Sequence, residues 1–312
     1  LLTTFARIFF LLMIKISKKT LQDLEYESVV EQIAELNVTS LGKTKILNTV
    51  PFSNRNEVSR SLNLTNEFLT SFENENRIPN HGFEDITKEL KLIKIENNYL
   101  EINGFRKIAS CCITSNILIK FFNKHKDYYP LLNTLSSTNE INTIIPDAIN
   151  DVIDKHGEIR NNASDLLYTT RKSIQSVRTK VNSSFNSALS TYNSAEYLDD
   201  IRETVMENRR VLAVKSMHRR KVKGSILGSS KTGSIVYIEP ETTHQHQREL
   251  NNLEFEETEE IKRILLELTS LISVYSNYLS KFQFYLTEMD VIYAKAKYAK
   301  SIQAVLPKIT ET

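Results

Sequence analysis

At 312 residues and 40% hydrophobic content the chain can bury a real core, which excludes a disordered protein and leaves room for roughly two domains or one elongated architecture. Forty basic residues against thirty-eight acidic ones give a net charge of only +2, so attraction for a polyanion must come from local clustering and not from total charge. The two cysteines, Cys111 and Cys112, are sequence neighbours, which disfavours a disulfide between them and fits a reducing, cytoplasmic compartment.

Residues 1–19, "LLTTFARIFFLLMIKISKK", carry an apolar run too short to span a bilayer, with no basic n-region and no small-residue cleavage site before Lys15. Met13 opens a more ordinary soluble sequence, so this N-terminal extension reads as upstream translation, with a secretory signal as the alternative. Residues 20–157 read as a helical core domain, because glycine and proline are sparse and apolar residues recur at helical spacing in "LQDLEYESVVEQIAEL", "VSRSLNLTNEFLTSF" and "FRKIASCCITSNILIKFF".

Between Gly157 and Gly224 there is neither glycine nor proline, and Leu167, Ile174, Val181 and Ala188 recur every seven residues. That spacing predicts one long helix over 158–199. A second is predicted over about 242–278, where Ile261, Ile264, Leu265, Leu268, Leu271, Ile272, Tyr275, Tyr278 and Phe282 keep a three-and-four rhythm. A helix that long needs a partner, and the two are expected to pack antiparallel. The fold class is mainly α: an elongated helical bundle with two long antiparallel helices and a small antiparallel β-element.

The β-element lies at about 207–240, where "RRVLAVKS", "KGSILG" and "GSIVYIEP" supply β-branched runs and Gly228 and Gly233 bracket a turn. From Arg209 to Lys231 there are eight basic residues and no acidic one: Arg209, Arg210, Lys215, Arg219, Arg220, Lys221, Lys223 and Lys231. With hydroxyls from Ser225, Ser229, Ser230, Thr232 and Ser234, they make a candidate phosphate-contacting surface. An ordinary solvated hairpin face is the other reading.

No other constellation carries chemistry. A phosphate-cradling loop needs G-x-x-x-x-G-K-[ST]; "NVTSLGKT" has Asn37 where the first glycine belongs, and "GSSKTGS" puts Ser234 in the lysine position. His244 and His246 stand two apart, which on a helix points them in different directions and argues against a shared metal; they read as exposed polar residues. Cys111 and Cys112 sit in an apolar helix and read as buried structural residues, and the acidic run "EFEETEEIKR" as a solvated helix face with some i,i+4 pairing. No catalytic, cofactor or metal residue is assigned.

The stretch "RRVLAVKSMHRRKVKGSILGSSKTGSIVYIEPETTHQHQRELNNLEFEETEEIKRILLELT" resembles the central region of the type-two MutS proteins, the Smr-associated branch of the MutS ATPases. "LEYESVVEQIAE…SLGKTKI", "HGEIRNNASDLLYTTRKSI" and "EMDVIYAKAKYA" extend the resemblance over nearly all of Leu21 to Pro307. Many relatives carry a His-Asp pair where this chain has Leu227-Gly228. The resemblance is to the core, lever and clamp-like portion, with residues 158–312 as the lever and clamp-like helices. Family members continue into an ATPase and usually a Smr nuclease domain; this chain shows no Walker motif, so ATP and Mg are expected only with such a domain. The resemblance implies a cytoplasmic homodimer that senses branched DNA and suppresses recombination, or binds ribosomes and rRNA in the rescue of stalled ribosomes, without a membrane. A truncated structural remnant is the blander alternative.

Overall fold

The computed structural model describes residues 16–52 and 54–309, so the reading of the first twelve residues falls outside the described residues. It is mainly α with one small antiparallel sheet. The chain divides into two compact units: residues up to 158 together with those from 265 onward, and residues 159–264.

In the first unit, short helices α1 (Lys18–Asp23), α2 (Tyr26–Ala34), α3 (Ser40–Leu47), α4 (Arg55–Ser71) and α5 (Thr87–Leu92) precede α6 (Ile102–Lys124), α7 (Pro130–Ser136) and α8 (Ile144–Val152). Helix α11 (Ser276–Ser301) packs against α3, α4 and α6. Its buried residues recur at helical spacing, from Leu279 and Phe282 through Tyr285, Leu286 and Met289 to Ile292 and Ala296. On α6, Phe105, Ile108, Cys111, Cys112, Leu118, Ile119 and Phe122 are buried, so both cysteines are core residues as their apolar setting suggested.

One long-range polar tie fixes this unit. Asp290 on α11 is fully buried and accepts hydrogen bonds from the Val38 and Thr39 amides at 2.9 Å, the Thr39 hydroxyl at 2.6 Å and His81 Nε2 at 3.0 Å. Burial alone would raise the Asp290 pKa; the bonds from His81, Thr39 and Val38 overcome it and hold the carboxyl at about 2. The expectation that "NVTSLGKT" is no phosphate loop has a structural counterpart: Gly42, Lys43 and Thr44 lie inside α3, capped by Thr39, whose hydroxyl accepts from the Gly42 amide.

In the second unit, α9 (Asp165–Ser194) and the part of α10 (Glu241–Ser273) up to Ile264 run antiparallel. Their cross-links pair rising with falling numbers: Ser164 with Glu260, Arg171 with Glu257, Arg178 with Glu254 and Ser184 with the Thr242 carbonyl. Ile174, Val177 and Leu250 bury the seam between them. The acidic run is therefore partly an interhelical face and not only a solvated one, with Glu259–Lys262 and Glu260–Arg263 as i,i+3 pairs.

Both long helices are shorter than expected. Helix α9 starts at Asp165 because Ser164 is extended (φ −152°) and its Oγ accepts from the Leu167 amide at 3.0 Å, a side-chain N-cap. It ends in a Schellman motif: Glu196 adopts φ +59°, its amide bonds the Asn193 carbonyl, and the Tyr197 amide bonds that of Tyr192. Helix α10 stops at Ser273, and the chain turns there, with the Tyr275 amide bonding the Ile272 carbonyl at 2.9 Å before α11 begins at Ser276.

Between the helices lies a four-stranded antiparallel sheet, β1 (Leu198–Met206), β2 (Arg209–Lys215), β3 (Gly224–Ser229) and β4 (Ile235–Pro240), in the order β1-β2-β4-β3. It starts earlier than the expected 207. Strand β1 escaped notice because it is largely polar and bulged: Leu198 opposes Val214 but Glu203 already opposes Leu212. Its hairpin to β2 turns at Glu207 and Asn208, both left-handed at φ +49° and +60°, without the glycine that usually marks such a turn. Leu212 pairs with Ile238 and Val214 with Val236, and these four share one core with Phe185 of α9, Leu198 and Val222.

Candidate nucleic-acid interface

Alternation along β2 sends its two leading arginines to opposite faces. Even-numbered Arg210 shares the face of Leu212 and Val214, where its guanidinium lies 4.2 Å over the Phe185 ring and bonds Glu203 at 2.6 Å. Odd-numbered Arg209 bonds Glu239 on the other face at 3.0 Å, and Glu239 is only 4% exposed. Both arginines border a cleft of about 670 Å³ that also holds the Arg178–Glu254 pair, so its cations each face a carboxylate. His244 stands 3.9 Å from Glu239, and His246 stands 3.8 Å from Glu249. The histidines are half-buried instead of exposed, each beside its own glutamate.

The other six cations form a different set. Lys215 ends β2, opposite Ile235, and its Nζ lies 3.4 Å from the Glu196 carbonyl at the end of α9. A 3₁₀ segment, Ser216–Lys221, then carries Arg219, Arg220 and Lys221, all exposed, and leads to exposed Lys223 at the start of β3. Lys231 is exposed in the turn between β3 and β4. That turn is tied to the 3₁₀ segment: the Ser216 amide donates to the Ser234 carbonyl at 2.9 Å and its hydroxyl to the Gly233 carbonyl. Within the turn, the Ser230, Thr232 and Ser234 hydroxyls cluster, and Gly233 takes φ +71°. Gly228 and Gly233 thus belong to a hairpin and not to a phosphate-binding loop.

Lys215 and Lys231 stand at the end of the sheet where Ser216 meets Ser234, Lys223 stands at the other end of β3 beside Glu241, and Arg219, Arg220 and Lys221 lie on the 3₁₀ segment that leads from one to the other; none of the six forms a salt bridge among the described residues. Six residue steps of β2, about 20 Å at the rise of a strand, separate Arg209 from Lys215. Two features were not read from the sequence: Glu203 and Glu239, which lie outside the acid-free segment, and an aromatic row beside the 3₁₀ segment. Tyr192 and Tyr197 stack with ring centroids 6.4 Å apart, the His218 ring lies 4.8 Å from Tyr197, and Lys221 Nζ is 5.1 Å from the Tyr197 centroid. The Schellman motif produces the first pair, since it sets these two positions side by side.

Among the described residues no group of three or more His, Cys, Asp or Glu is placed to hold a metal, and no helix is long and apolar enough to cross a membrane.

The fold and site define a mainly α protein in which an antiparallel pair of long helices carries a small sheet with a basic flank. No protein-family model matches the chain. It is similar throughout to bacterial proteins named Endonuclease MutS2: 29% identical over 296 residues to that of Geobacillus sp. (strain WCH70), covering 94% of this chain and 38% of the relative. The Alkaliphilus oremlandii protein of that name is 27% identical over 293 residues, and the Aquifex aeolicus one 26% over 294, covering 93% and 94% of this chain. The resemblance to the type-two MutS proteins thus spans the chain, and the chain spans 37–38% of the length of these relatives.

Proposed function

We propose that this chain is the nucleic-acid-contacting core and lever region of a MutS-like machine that senses branched DNA and restrains homologous recombination. The observation that carries this reading is the set of six cations on and flanking Ser216–Lys221, none of them in a salt bridge with a carboxylate among the described residues. Such a surface binds phosphates without reading bases, and selects ligands by shape. The relatives are named endonucleases, and the reading assigns ATP and Mg binding and strand cleavage to the part of their length that this chain does not match. In this view the working protein is a cytoplasmic homodimer, independent of membranes, and this chain contributes binding instead of hydrolysis.

The test replaces Arg219, Arg220, Lys221 and Lys223 together by alanine and measures binding to a four-way DNA junction and to ribosomes across a salt series. Loss of four phosphate contacts should flatten the dependence of log K on log salt by about 3 to 4. A loss on the junction supports the reading; a loss on ribosomes alone moves the function to ribosomal RNA. Unchanged affinity and slope for both, in a folded protein, would leave only a solvated hairpin.

A further inference from the structure

We propose that the row Tyr192–Tyr197–His218 is a stacking site for an unpaired nucleobase, with His218 as its open end. This rests on the nucleic-acid reading above and adds to it a reason for preferring unpaired over paired strands, which phosphate contact alone does not supply.

The row fans out by a similar tilt at each step: the interplanar angles are 29° between Tyr192 and Tyr197 and 31° between Tyr197 and His218. It is also held from three sides. Tyr192 and Tyr197 are set by the Schellman turn; the Tyr192 hydroxyl accepts from the Lys223 amide at 3.3 Å; and the 3₁₀ segment carrying His218 is pinned through Ser216 to the β3–β4 turn. A rigid platform loses little conformational freedom when a base lands on it. The core beneath is already closed by Leu198, Val222 and Phe185, so His218 and Lys221 lie outside it. His218 remains half-buried, next to Met217 at 81% exposure and Arg219.

The charges around the row fix how a strand would lie. Arg219, Arg220 and Lys221 directly follow His218, so a base stacked there has its own phosphates within reach of three cations. The β1 bulge carries Asp199 and exposed Asp200 two and three residues after Tyr197. Those carboxylates repel a phosphate backbone, which leaves the 3₁₀ side as the path. A paired base inside a duplex has no free face to offer the ring, whereas a base at a junction, gap or loop does.

Two oligonucleotides of equal charge separate stacking from phosphate contact: one with three consecutive unpaired thymines, the other with three abasic sites in the same places. The intact chain should prefer the thymine form by about tenfold, the usual size of one stacked base. His218→Ala should abolish that preference while leaving affinity for the abasic form and the salt slope unchanged, and His218→Phe should restore it. Equal binding of the two forms by the unaltered chain, or a preference that survives His218→Ala, overturns the stacking site and leaves the phosphate reading standing. Failure to bind either form overturns both.

Discussion

Gly42 and Asp290 offer a test of the tie that holds the first unit together. A Cβ built on Gly42 would lie 2.1 Å from Asp290 Oδ2 and 2.8 Å from its Cγ, with Asn37 Nδ2 at 2.7 Å. Gly42→Ala must therefore expel the carboxylate, and with it four hydrogen bonds to Val38, Thr39 and His81 at a fully buried position. Breaking a buried ionic network costs about 3–5 kcal/mol, and alanine in place of a helical glycine returns about 0.5–1 kcal/mol. The net expectation is a loss of about 3 kcal/mol. Asp290→Ala alone should cost about 4 kcal/mol for the same broken bonds. In the Asp290→Ala background only the end of the Asn37 side chain, 2.7 Å from the added Cβ, still has to shift, so Gly42→Ala should cost far less there than in the native background and come close to neutral. Urea denaturation followed by circular dichroism reads the four stabilities, and hydrogen exchange at the Val38 and Thr39 amides locates the effect. If Gly42→Ala destabilises equally in both backgrounds, its cost does not come from Asp290.

The same tie predicts an acid limb. Asp290 and Glu260 both sit near pKa 2 when folded, Asp290 because hydrogen bonds outweigh burial and Glu260 chiefly through its bond from Arg263, also against burial. Because folding depresses both values, their stabilisation is complete above pH 4 to 5 and disappears as pH falls toward 2, about 2 kcal/mol for Asp290 alone. The urea midpoint should fall across that window, and less steeply in Asp290→Asn; an equal slope in both would refute the assignment. Burial pushes the Cys112 thiol up to about 12 and raises that of Cys111 as well, so neither should react with iodoacetamide at pH 8 until the chain is unfolded in urea. Labelling of the native chain at the rate of a free thiol would contradict their burial.

The helical parts of the fold were legible because burial follows their spacing. Leu167, Ile174 and Ala188 of the seven-residue pattern are buried on α9, and the β-branched runs of β2 and β4 form the middle of the sheet. What was hidden depends on partners remote in sequence or on conformations that composition does not flag. Asp290 meets Val38 across 252 residues, and no local pattern marks either as the other's partner. Strand β1 hides behind its bulge, and Glu196, Glu207 and Asn208 take left-handed backbone where glycine would have announced a turn.

The charge of the candidate site shows the same division with a quantitative consequence. In the linear sequence, Arg209 to Lys231 is free of acids, and all eight cations weigh equally. Strand register changes that. Glu203 opposes Leu212, which places it diagonally across from Arg210 on the same face, and Glu239 follows Ile238, the partner of Leu212, which puts it on the face of Arg209. Both arginines are thereby committed to carboxylates, and freeing either for a phosphate would strand Glu203 or the buried Glu239 without its partner. At about 0.9 per phosphate contact, the steepest salt dependence open to this surface is then about 5 for six free cations, where eight would give about 7. Half of that difference comes from the polar strand that the sequence concealed, since β1 supplies Glu203 to Arg210; the other half comes from Glu239 of β4, which β2–β4 pairing sets beside Arg209.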